Sequence, residues 1–149
     1  MSLQIQIDQD IKAAMLAKNE ARLRGLRAIK AALLLAKTEK GAAESPSADA
    51  EIKVLQKLVK QRKESAAIYQ AQNRTDLYQI EAEEIEVIEA YLPQQLDAES
   101  IKAHIKQLIA EHGAQGVKDM GKIMGLASKA LAGQADGKTI SEIVKELLS

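Results

Sequence analysis

The sequence contains no cysteine, phenylalanine or tryptophan, and only two prolines and three tyrosines. Without cysteine there is no disulfide framework, no thiolate metal site and no cysteine nucleophile. Without Phe or Trp, any core is built from Leu, Ile, Val, Ala and Met, which favours helix packed on helix over sheet. Three tyrosines (Tyr69, Tyr78 and Tyr91) are too few for a platform that reads single-stranded nucleic acid by base stacking. No run approaches the ~18 uncharged apolar residues of a membrane span. The opening residues, Met1 to Gln4, lack the charged and apolar parts of a secretory leader. The expectation is a soluble cytoplasmic protein whose 149 residues form one ordinary domain or two small ones.

Net charge is zero, but the zero is a sum of opposed regions. Residues 1–64 hold 13 basic and 8 acidic side chains, residues 65–92 hold 1 and 6, and residues 93–149 hold 7 and 7. Overall neutrality argues against strong indiscriminate nucleic-acid binding and leaves a local basic face open.

Apolar spacing predicts helices throughout, with no strand and no repeat. Leu3, Ile7, Ile11 and Met15 mark a first helix. A second spans about 20–38 and is apolar almost all round between Leu23 and Ala36, as in a helix packed on several sides. The loop at 41–47 precedes a third, capped by Ser47 or Asp49, with Ile52, Leu55, Val59, Ala66 and Tyr69 on one face. A fourth carries Leu77, Ile80, Ile88 and Tyr91 and stops before Pro93. Asp97 then caps a fifth helix, with Leu96 and Ile101 as a hydrophobic staple, which runs to Gly113. The sixth places Val117, Met120, Met124, Ala127 and Leu131 on one side and ends at Gly133. The seventh follows Asp136-Gly137-Lys138, with Thr139 and Glu142 spaced as a capping box before Ile140, Ile143, Val144 and Leu147. The predicted fold is all-α: a four-helix N-terminal domain over 1–93 and a three-helix C-terminal domain over 94–149.

Some charges fall where the pattern asks for apolar residues. Arg62 lies between Leu58 and Ala66, and Glu81 and Glu84 share the sector of Leu77, Ile80 and Ile88. Unpaired charge in such sectors is costly, so these groups are expected to meet as a structural ion pair, with Arg27 as a further partner. A general acid/base or metal role for the two glutamates is the weaker reading, because no histidine lies within a turn of them. His104 and His112 are eight residues apart, too far for zinc chelation on adjacent turns, and are expected to pack partly buried. No nucleophile elbow, P-loop or dinucleotide fingerprint is present. No catalytic residue, metal site or cofactor is predicted.

Two basic rows stand out. Lys53, Lys57 and Lys60 lie opposite the apolar stripe of the third helix, with Arg62 and Lys63 beside them and Glu64 as a local partner for Lys60. Arg22, Arg24, Arg27 and Lys30 add cations on the second helix. On the sixth, Lys118, Lys122 and Lys129 fall within about 40° of one another by helical arithmetic, opposite the apolar side. Gly125 shares that row and Gly121 adjoins it. A helical glycine costs roughly 1 kcal/mol relative to alanine. Two in five residues point to close approach, either by a phosphate chain or by a neighbouring helix. Lys138 adds a cation beside a helix N-terminus that already favours anions.

The blocks Leu26 to Lys30, Lys60 to Ser65, Tyr91 to Leu96, Lys118 to Gly125 and Ala135 to Lys138 together resemble the GatB/YqeY family over nearly the whole chain. The KDMGKIMG and ADGK blocks are the most specific. In that family the equivalent region forms the helical and tail domains at the C-terminus of the glutamine-dependent tRNA amidotransferase B subunit, whose tail contacts tRNA. The resemblance implies tRNA-contacting roles for Lys118, Gly121, Lys122, Gly125, Lys129 and Lys138, and for Lys60 and Arg62 in the N-terminal block. The B subunit's catalytic domain has no counterpart here, so carbon–nitrogen ligase activity with glutamine as amide donor attaches only by family association. The expected function is that of a tRNA-interacting accessory protein in translation, with no DNA partner. The alternative is a protein-interaction module that docks on amidotransferase subunits or another translation factor without touching RNA.

Overall fold

The computed structural model describes residues 2–39 and 47–149. Among them all regular structure is helical: seven α-helices and one 3-10 turn, with no strand. The chain divides into two compact units, Met1–Leu92 and Pro93–Ser149.

The first unit contains α1 (Leu3–Leu16), α2 (Glu20–Glu39), α3 (Ala48–Ala71) and α4 (Thr75–Glu89). Side-chain oxygens of Ser2, Asn19 and Ser47 accept from the backbone amides of Ile5, Arg22 and Ala50, satisfying donors that a helix start leaves free. Of the 41–47 loop, only Ser47 lies among the described residues. Helix α2 packs on α1, α3 and α4, which is why it is apolar on so many sides. The core gathers Ile7, Leu26, Ile29, Leu33, Leu55, Val59 and Ile88. Two expected core positions differ. Met15 is 55% exposed and Ala14 is buried in its place, since seven residues from Ile7 complete two turns and eight overshoot. Ile80 is also exposed. It lies toward the start of α4, whereas the core takes that helix's far end and the residues just after it, from Ile85 to Leu92.

The opposed charges of the sequence meet inside this unit. Arg24 pairs with Glu83 at 2.8 Å, Arg62 with Glu84 at 3.4 Å and Lys63 with Glu89 at 3.1 Å. Asp76 holds Arg74 at the start of α4. Four of the six carboxylates in residues 65–92 are thereby matched, and three of the matches tie α4 to α2 or α3.

The second unit contains α5 (Ala98–His112), a 3-10 turn (Val117–Asp119), α6 (Met120–Ala130) and α7 (Gly137–Leu148). Asp97 caps α5 by accepting from the Ser100 amide at 2.8 Å, and Gly113 closes it in the left-handed region at φ 60°. Gln95 Nε2 donates to the carbonyls of Pro93 and Gly133, and the Leu96 amide donates to Gln134 O, fixing the entry segment against the α6–α7 turn. Ile101, Ile105, Ile123, Ala127, Leu131, Ile140, Val144 and Leu148 form a separate core. The expected Thr139–Glu142 box does not start α7. Asp136, the other cap the sequence offers here, does, accepting from the Thr139 amide at 2.6 Å, because the helix begins three residues before that box would start it, at Gly137.

Candidate nucleic-acid interface

The α6 region begins with a break. Gly116 adopts φ 79°, Asp119 Oδ2 accepts from the Gln115 amide at 2.8 Å, and Val117–Asp119 wind as a 3-10 turn. This corrects the expected sixth helix at its start. Val117 is 64% exposed, and Ile123, which the expected stripe omitted, is buried. Lys118 sits on the tighter turn, so its angle to Lys122 and Lys129 does not follow from 3.6-residue arithmetic.

From Met120 onward the helix is amphipathic. Ile123, Ala127 and Leu131 face the core, with Met124 and Leu126 packed against it. The remaining surface is basic and partly bare. Lys118, Gly121, Lys122, Gly125 and Lys129 are all exposed. A Cβ added at Gly121 or Gly125 would meet nothing within 4 Å. The alternative that a neighbouring helix fills the space beside these glycines is therefore removed for the second unit as described. None of the three lysines is in an ion pair among the described residues.

Lys138 and Gly137 are exposed in the first turn of α7, and Gly137 likewise has open space where a Cβ would project. Helices α6 and α7 pack together, so the second unit carries Lys122, Lys129, Lys138 and three open glycines on one pair of neighbouring helices, with Lys118 on the 3-10 turn that leads into α6. Backbone amides at a helix start favour anions, and a missing Cβ lets an anion approach more closely.

The predicted residues of the first unit divide into three kinds. Lys60 is exposed, and no ion pair joins it to Glu64. Arg62 is committed inward: its Nη1 donates to Leu58 O at 3.1 Å, its Nε lies 3.4 Å from Glu84, and both side chains are largely buried. Glu81 lies near this pair, and its carboxyl is held above the ordinary range, mainly by burial and then by the like charge of Glu84, with Arg62 opposing. Arg27 is exposed and takes no part in the pair.

Two clefts lie near the charged and histidine side chains named above. One, of about 360 Å³ in the first unit, is lined by Arg22, Glu83, Glu86, Val87 and Tyr91 among others. Near it, Tyr91 donates its hydroxyl to Asp10, which also faces Arg22 at 3.9 Å. The other, of about 190 Å³, is lined by His104, Gln107, Leu108, Glu111 and Ala130. Neither of these two clefts is lined by Glu81 or Glu84. Both histidines are exposed rather than partly buried, since Ile101 and Ile105 take the core-facing side of α5. Among the described residues, no three metal-ligating side chains come together, and no helix is long and apolar enough to cross a membrane.

Sequence comparison adds family context. Residues 4–148 match the family described as Yqey-like protein. The chain is 30% identical over 148 residues to "Altered inheritance of mitochondria protein 41, mitochondrial" of Meyerozyma guilliermondii, covering 95% of this chain and 74% of that protein. It is 39% identical over 83 residues to the like-named protein of Clavispora lusitaniae, covering 56% of this chain and 47% of that one. With nearly its full length matched by one family, the chain belongs to the YqeY-like proteins.

Proposed function

We propose that this protein is a tRNA-interacting accessory factor without catalysis of its own, and that the α6–α7 pair is its RNA-facing surface. The observation that carries the reading is the open space over Gly121 and Gly125 beside exposed lysines that take part in no ion pair among the described residues. Lysine ammonium groups and bare main chain suit phosphates and the shape of folded RNA, with little readout of base identity. The scarcity of aromatic residues fits the same preference for structured over single-stranded RNA.

The GatB side of the resemblance extends this proposal to translation and to partnership with amidotransferase subunits. Within it, the two compact units act as a four-helix and a three-helix domain. Family-level carbon–nitrogen ligase activity would then reside in a partner. The compartment is the one that holds the tRNA: the cytoplasm, or the mitochondrion that the relatives' names give.

A gel-shift titration with unfractionated tRNA tests the surface. Changing Lys118, Lys122 and Lys129 together to Glu abolishes the shift if these side chains meet phosphates; an unchanged shift removes α6 from the interface.

The second reading is protein docking without RNA contact. It is favoured by apolar side chains left in solvent on the first unit, Leu16 at 87% and Leu35 at 60% exposure. The acidic segment supports it less, because most of its carboxylates are already paired internally. A partner retained in a pull-down after RNase treatment supports docking, and one lost supports the RNA reading.

A further inference from the structure

Helix α3 carries a basic row that the internal ion pairs leave untouched. Arg24, Arg62 and Lys63 are each matched to a carboxylate of α4, and Lys30 to Asp8 on α1. Lys53, Lys57 and Lys60 are exposed and in no ion pair among the described residues. The acidic residues of their own helix, Asp49, Glu51 and Glu64, do not reach them: no pair joins any of the three to any of the lysines.

This arrangement works against the helix. Lys53 and Lys57 stand at i and i+4, and Lys57 and Lys60 at i and i+3. Like charges at these spacings destabilise a helix by a few tenths of a kcal/mol per pair. Asp49 and Glu64 flank the row on the same face, at i−4 from Lys53 and i+4 from Lys60, but neither is in an ion pair with it among the described residues, and three successive cations between them suit a partner of opposite charge. The row extends about 10.5 Å along the helix, at about 1.5 Å per residue. Its flanks, Gln56 and Gln61, are polar. The large apolar residue exposed on α3, Ile68, lies two turns beyond Lys60, so the row has no hydrophobic wedge for entering a bilayer. No aromatic side chain interrupts it, which removes base stacking and leaves the backbone of a structured polynucleotide.

We infer that Lys53, Lys57 and Lys60 form a second, independent contact strip for the phosphodiester backbone of folded RNA, on the first unit. The inference rests on the tRNA reading above and extends it to the other unit, where Arg62 supports α3 through Glu84 rather than touching RNA.

The test compares the full-length protein with two variants, Lys53→Gln/Lys57→Gln/Lys60→Gln and Lys118→Gln/Lys122→Gln/Lys129→Gln. Binding to unfractionated tRNA is titrated from low to high salt, with thermal melting as the fold control. Each lysine that meets a duplex phosphate contributes about 0.9 to the slope of log K against log salt. Loss of the α3 row is expected to lower that slope by about 2.7, with an unchanged or slightly higher melting temperature. A slope lowered only by the α6 variant overturns the inference and leaves the α6 reading standing. A slope lowered only by the α3 variant supports the inference and overturns the α6 assignment. No tRNA binding by the parent protein overturns both. Binding to phosphatidylglycerol vesicles or poly-glutamate that equals tRNA binding and vanishes with the α3 row also overturns the inference, since the row would then serve another polyanion.

Discussion

Val87 occupies the space that a side chain at Gly25 would need. A Cβ built on Gly25 would lie 2.7 Å from both Val87 Cβ and Cγ1, well inside van der Waals contact. Helices α2 and α4 meet here with no room between them, beside the Arg24–Glu83 pair. Val87 is branched at Cβ, so it cannot swing clear without moving α4. Gly25→Ala is expected to destabilise the first unit by about 1–3 kcal/mol, the usual range for overpacking. The double change Gly25→Ala/Val87→Ala should recover part of the loss. Chemical denaturation of the two variants measures both.

The Arg62–Glu84 pair is largely shielded from solvent on both sides. Removing one partner leaves the other charge without compensation, whereas removing both leaves none. Arg62→Met is expected to cost about 1–3 kcal/mol, the range for leaving a shielded polar partner unsatisfied, and Arg62→Met/Glu84→Leu substantially less. A double-mutant cycle on unfolding free energy reads the coupling. A double variant as unstable as the worse single variant would mean that packing at these positions, rather than charge, holds α3 against α4.

Acid and base act oppositely on two carboxylates. Burial raises the Glu81 pKa, so the folded state holds that proton more tightly than the unfolded chain does. Its favourable contribution is present at low pH and is lost as pH rises through the raised folded value. Asp97 is held below the ordinary range by its bonds from Ser100, so its contribution is present above the unfolded value and is lost as pH falls through the folded one. Glu81→Gln is expected to raise the melting temperature at pH 7 and leave it nearly unchanged at pH 4. Asp97→Ala is expected to lower it at pH 7, by less at strongly acid pH. Melting curves across that range check both signs.

Features set by neighbours in the chain were open to reading from the sequence. Ser47, Asp97 and Gly113 mark helix ends because their bonds close within a few residues. The start of α6 was hidden because its apolar spacing runs on through Val117, while Gly116 at φ 79° turns the backbone out of the helix. Gly25 escaped because its requirement comes from Val87, 62 positions away. The signal was still available: glycine in a helical, apolar interior is as costly there as at Gly125. The opposed charge of residues 1–64 and 65–92 is visible in composition. That Arg24, Arg62 and Lys63 answer it, and Arg27 does not, depends on how α4 lies against α2 and α3. The candidate interface was partly legible: open space beside Gly121 and Gly125 is one of the two environments their placement predicted, and only packing distinguishes them.

The double variant Gly121→Ala/Gly125→Ala separates stability from binding at that surface. Alanine fits both positions without contact and is the better helix former, by about 0.5–1 kcal/mol at Gly125 in the interior of α6. The most direct measurement is tRNA affinity of this variant beside its melting temperature. A higher melting temperature with weaker tRNA binding is the predicted result, because two methyl groups would stand between the phosphates and the main chain. A higher melting temperature with undiminished affinity would contradict the account, since RNA would then not be approaching the bare backbone of α6.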